Sequence, residues 1–167
     1  MLRRAAVVAA LTFGLLAGGC GQSRPAKPPA LVGAWRSTVQ FKSGAFASVK
    51  DLQFMYVLNA GGTLTESSNY DAAPPVPPAY GVWRPIGPRE FEAKYEYFAT
   101  ALPSGLDALK NGGGWLPSGR GVLIERITLS EDARIFTSSI RYEARDSLGN
   151  AVVGGGEATG RGERIGF

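Results

Sequence analysis

The sequence contains no histidine and a single cysteine, Cys20. The first absence excludes Ser–His–Asp and Cys–His catalysis and removes the commonest ligand of zinc sites. The second excludes an internal disulfide framework. Charge of one sign is also scarce. Lysine and arginine total 18 against 14 acidic side chains, and setting aside Arg3 and Arg4 of the leader lowers the net charge from +4 to +2. So even a balance gives no electrostatic footprint for nucleic acid. Long apolar runs are missing too: Ala5 to Gly19 is about 15 residues, short of the roughly 18–20 that span a bilayer as a helix. Asp146 and Asn150 in "DSLGN" lack the spacing of a calcium loop and read as a turn, so no metal and no cofactor is implied. What the chain does have is 23 glycines and 11 prolines in 167 residues, with 44% hydrophobic and 19% charged side chains. That is one globular domain with many turns and short elements.

The front of the chain has a different character from the rest. "MLRR" is a positive n-region, "AAVVAALTFGLLA" an apolar h-region, and Gly18-Gly19 supply small residues before Cys20. Residues 1–19 therefore read as an export signal. Ala17, Gly18, Gly19 and Cys20 resemble the bacterial lipobox, with Leu16 one place further from the cysteine than the family usually has its aliphatic residue. The resemblance implies that the Cys20 thiol takes a diacylglyceryl group and that its new amino terminus is acylated, with fatty chains such as palmitate. Two or three buried chains anchor far more firmly than one. Gly21, where an aspartate would mark inner-membrane retention, implies the outer membrane, facing the periplasm. Residues 20–30, "CGQSRPAKPPA", form a proline-rich tether that spans roughly 30 Å when extended.

From Leu31 to Phe167 the patterning is uniform, and its period is two, the strand signal. "REFEAKYEYF" places Phe91, Ala93, Tyr95 and Tyr97 on one face and Glu90, Glu92, Lys94 and Glu96 on the other. Phe136, Ile140, Tyr142 and Ala144 likewise share a face. Eight strands are expected, near 33–41, 51–59, 62–68, 79–86, 89–98, 121–130, 134–146 and 150–165. One short helix is expected in "PSGLDALKNGGG", with Ser104 as N-cap, Leu106 and Leu109 as its apolar stripe, and Asn111-Gly112 at its end. Eight sequential strands without crossover helices predict an antiparallel up-and-down barrel, because closure removes exposed sheet edges.

Gly33, Ala34 and Trp35 in "LVGAWRS" resemble the Gly-X-Trp signature of lipocalins and their calycin relatives. The resemblance implies an all-β, eight-stranded barrel closed at one end by Gly33 and Trp35. An arginine from the last strand, Arg161 or Arg164, would pack over the tryptophan. It further implies a small apolar or amphipathic ligand inside. Phe54, Tyr56, Phe91, Tyr95, Tyr97, Glu125 and Tyr142 are the candidate cavity lining.

Recognisable catalytic motifs are few. "GWLPSGRG" (114–121) and "GGEATGRG" (155–162) have phosphate-loop glycine spacing, but Arg120 and Arg161 replace the lysine and glycine replaces the hydroxyl residue. They read as a flexible loop and a small-residue strand. "APPVPPAYG" (73–81) carries P-x-x-P spacings and reads as a stiff connection. Glu125 shares phase with Leu123, Ile127 and Leu129, and Glu66 with Leu64. A bulge would turn either outward, the more readily for Glu66 at a strand end. Three functions are compatible with these features. They are a lipid-anchored ligand-binding barrel, a structural lipoprotein contacting an envelope protein, and a small isomerase or cyclase using Glu125 beside Arg84 or a tyrosine. The first fits best, and no enzymatic activity is expected.

The anchor has a direct test. In a bacterium that processes lipoproteins, intact-mass analysis is expected to show a mature chain starting at a diacylated Cys20. Cys20→Ser should move the protein from the membrane to the soluble envelope fraction.

Overall fold

Strict alternation of buried and exposed residues organises the molecule. In β1 (Gly33–Phe41), Trp35, Ser37, Val39 and Phe41 are buried while Arg36, Thr38 and Gln40 face water. The same period runs through β2 (Gln53–Leu58), β3 (Thr63–Ser68), β4 (Ala79–Pro85) and β5 (Glu90–Ala101). It continues in β6 (Leu116–Leu129) from Leu123 onward, in β7 (Ile135–Arg145) as far as Tyr142 and in the second half of β8 (Ala151–Arg164). The structure, a computed structural model, describes residues 29–70, 77–101, 105, 107, 110 and 115–167. Among them the eight strands pair in sequence order, every pair antiparallel, and β1 pairs with β8 to close the barrel. This is the all-β up-and-down barrel expected from the period-two pattern, and it is consistent with a lipocalin-like fold. The expected helix residues Ser104, Leu106, Leu109 and Asn111, the tether up to Pro28 and Cys20 itself lie outside the described residues.

One boundary differs from expectation. Residues 116–120, read from sequence as part of a flexible loop, belong to β6 and pair with the end of β5 and the end of β7. Gly119 makes this possible. Its φ of 138° is one that a side chain would resist, and a Cβ there would strike the Arg145 carbonyl. A register shift between Ala99 and Thr100 takes up the irregularity, and Pro117, which has no N–H to give, sits close to the free end of the strand.

The two ends of the barrel are built differently. At one end the connections 59–62, 86–89 and 130–134 are tight. Here Trp35 is fully buried, its Nε1 donates to the Leu31 carbonyl at 2.9 Å, and its ring packs on Phe136 with centroids 5.2 Å apart. Arg164 holds its guanidinium over the Trp35 ring, Cζ 4.2 Å from the centroid. The same guanidinium donates to the carbonyls of Val32 (2.8 Å), Ala133 (3.0 Å) and Ala30. Arg161 points outward instead. Gly33 is required beneath this arginine: its φ is 141°, and a Cβ would lie 2.5 Å from Arg164 Nη1. One cation thus ties the entering chain, the 130–134 turn and the last strand together. The chain enters the barrel at this closed end. At the other end the connections 42–52, 69–78 and 102–115 are long, and the fourth, 146–150, is tight.

The outer surface is also divided. Around β4 to β7 it carries ion pairs, among them Arg84–Glu92 (2.6 Å) and Arg145–Glu143 (2.6 Å). Across β2 to β4, Met55, Val57, Tyr80 and Val82 stand exposed on the outside.

Trp35→Ala removes the closing ring and leaves a void in close-packed surroundings. It is expected to cost about 3–5 kcal/mol, lowering the melting temperature by about 10 °C or more. Thermal unfolding followed by circular dichroism checks this.

Candidate functional site

Inside the barrel, between the two ends, period two places Glu125 where an apolar residue would be expected. It is fully buried. Tyr95 Oη donates to Glu125 Oε2 at 2.8 Å and Tyr56 Oη to the same oxygen at 3.1 Å, with the two hydroxyls 3.5 Å apart. Burial raises the Glu125 pKa, and interactions with Ser138, Tyr95 and Tyr56 oppose the rise. Desolvation wins, because an uncompensated buried charge costs more than these neutral donors return. Glu125 Oε1 and Ser138 Oγ both lack hydrogen-bond partners among the described residues. Burial likewise pushes the Tyr56 and Tyr95 hydroxyls well above their ordinary values, so both stay protonated as donors.

Toward the long-loop end the packing loosens into a cavity of about 40 Å³. Phe54 and Leu123 form its wall with Phe41. Tyr97 and Tyr142 stack nearly parallel across it, and Tyr97 Oη donates to Tyr142 Oη at 3.0 Å. Phe46, from the 42–52 connection, covers the mouth, with ring centroids 5.3 Å from Phe41, 5.5 Å from Tyr70 and 5.1 Å from Tyr142. The covering loop is fastened to β8: Lys42 N–H donates to the Glu157 carbonyl and Ala45 N–H to that of Gly154. Gly44, at φ 84°, and Gly156 make that contact possible, since a Cβ on either would collide with the facing backbone.

Glu66 lines this cavity beside Ser68. It is 5% exposed, and its Oε1 has no hydrogen-bond partner among the described residues. Burial, then the nearby Glu125, raise its pKa to about 8. Both glutamates therefore point inward: no bulge turns β3 or β6 at these positions.

The sequence candidates separate into three places. Phe54, Tyr97 and Tyr142 line the cavity, Tyr56, Tyr95 and Glu125 form the sealed polar cluster beneath it, and Phe91 packs on Trp83 near the closed end. Arg84 lies outside, paired with Glu92, so Glu125 has tyrosines beside it and no arginine. Sequence reasoning missed Phe46 and Tyr70, whose connections carry no periodicity to read. The barrel is consequently filled along most of its length. About 40 Å³ is room for roughly three water molecules, enough for a head group or a short apolar segment. No protein-family model matches the chain, and no curated protein is significantly similar to it.

The raised Glu66 pKa fixes a stability profile. Its folded value lies above the unfolded one, so the contribution is complete below about pH 4.5, declines as pH rises and is lost above about pH 8. Glu66→Gln is expected to match the wild type at pH 5 and to exceed its melting temperature at pH 8.5, with a residual slope left by Glu125. Melting curves across that range test the sign.

Proposed function

We propose that this protein is an envelope lipoprotein whose barrel binds a small apolar or amphipathic ligand at its long-loop mouth. The observation that carries the reading is the aromatic cavity under Phe46, with Glu66, Ser68 and tyrosine hydroxyls as polar groups on a mostly apolar wall. Pockets that hold small molecules combine a mostly apolar lining with few placed polar groups. The chain enters at the opposite, closed end. A tether moored through Cys20 would therefore hold the mouth away from the lipid surface, open to the periplasm. Because the cavity is small, a whole ligand requires Phe46 to swing aside. The few backbone contacts of its loop make that movement cheaper than any change in the strands.

A second reading, a structural lipoprotein contacting an envelope protein, is supported by the outer face carrying Met55, Val57, Tyr80 and Val82. Titration with an apolar fluorescent probe, N-phenyl-1-naphthylamine, separates the two. Saturable one-to-one binding that Ser68→Phe abolishes, with the fold intact by circular dichroism, is the expected result. Absence of saturable binding in the wild type would leave the outer face as the better-supported working surface.

A further inference from the structure

The cavity is electrostatically one-sided. Phe41, Phe46, Phe54 and the Tyr97–Tyr142 pair line it with aromatic rings, and the one carboxyl among its described lining residues is Glu66. Neither lysine nor arginine is among its described lining residues. Aromatic faces carry the negative side of the ring quadrupole and attract cations, the more strongly where water is excluded. Beside them Glu66 Oε1 is buried and lacks a donor.

We propose that this mouth seats an organic cation, the protonated amine of an amphipathic ligand, with Glu66 as its counter-ion. The inference rests on the ligand-binding reading and names the chemistry of that ligand. A primary ammonium brings what the site is missing: N–H donors for Glu66 Oε1 and a positive charge for the rings. Its attached methylenes would meet Leu52 and Leu123. A carboxylate or phosphate head would instead face Glu66 with no cation to receive it. A neutral alcohol would satisfy the oxygen and gain nothing from the rings.

The groups facing Glu66 are Glu125 on β6, Tyr56 on β2, and Tyr95 and Tyr97 on β5, and none of them is cationic. With its pKa at about 8, unliganded Glu66 is mostly protonated at pH 7. Charging it there costs only about tenfold in affinity. A desolvated cation–π contact and an ion pair together outweigh that cost. Binding of the ammonium therefore expels the Glu66 proton into the buffer.

Calorimetric titration of the wild-type protein with n-octylammonium, 1-octanol and octanoate at pH 7 tests the proposal. Octylammonium is expected to bind about tenfold or more tightly than either competitor. Its heat should differ between phosphate and Tris buffers by an amount corresponding to nearly one proton released. In Glu66→Gln, whose fold is checked by its melting curve, the preference for the amine over 1-octanol and the buffer dependence of its heat should both disappear. Octanol or octanoate binding as tightly as the amine, or amine binding without proton release, would overturn the cation assignment and leave the ligand-binding reading standing. Failure of all three compounds and of the probe would overturn both.

Discussion

An eight-stranded barrel has an interior just wide enough for its own side chains, so each level of the core competes with the next for room. Here the large rings of Trp35, Phe136, Tyr56 and Tyr95 occupy the closed end and the middle. Phe136, and Tyr97 nearer the mouth, fit because the residue paired with each on a neighbouring strand is a glycine. A Cβ on Gly162 would stand 2.1 Å from the Phe136 ring, and one on Gly121 would stand 2.1 Å from that of Tyr97. Gly162 on β8 and Gly121 on β6 are thus the complements of Phe136 on β7 and Tyr97 on β5. Size alternation across facing strands is what lets a small barrel reach native packing density. Any space for a ligand must come from the lining residues that are not on strands, and among these Phe46 packs its ring on Phe41, Tyr70 and Tyr142.

Much of this was legible in the sequence because it depends on period and phase alone. The eight strands, their order and the inward set Phe91, Ala93, Tyr95 and Tyr97 follow from alternation. Trp35 and Arg164 were legible only through a tripeptide resemblance, since nothing in their spacing says that a guanidinium will lie on an indole. Phase also pointed Glu125 and Glu66 inward. Whether a bulge intervenes, however, is settled by neighbours on two other strands. The extension of β6 back to Leu116 was hidden behind Pro117 and Gly119, residues that ordinarily end strands. They survive here because the bulge at Ala99/Thr100 lies beside them. Phe46 was invisible for a more general reason: a loop ring is placed by whatever it lands on.

Two buried carboxyls in one small barrel need a physical account. Replaced by leucines, they would remove the desolvation cost and the unpaired oxygens together. Glu125 is tolerated because one of its oxygens accepts from two tyrosines, and each tyrosine then has a partner for its hydroxyl. The cluster fixes the rotation of two rings that hydrophobic packing alone would leave freer. Glu66 has no such reward. It sits at the loose end of the same interior, unpaired, and raised in pKa partly by Glu125 itself.

That asymmetry between the glutamates follows the asymmetry between the ends. At the closed end one arginine satisfies three carbonyls and covers an indole, so backbone and side-chain groups there are committed. At the mouth the commitments are few. The covering loop is held by two backbone bonds to β8, Tyr142 Oη accepts a hydrogen bond from Tyr97 without a described acceptor for its own hydrogen, and Glu66 Oε1 has no donor. Unfinished hydrogen bonding in a buried place costs stability, and in folded proteins it is rare. Of the three described buried side-chain atoms without partners, Glu125 Oε1 and Ser138 Oγ are sealed in the middle of the barrel, and only Glu66 Oε1 borders the cavity at the end opposite the point where the chain enters.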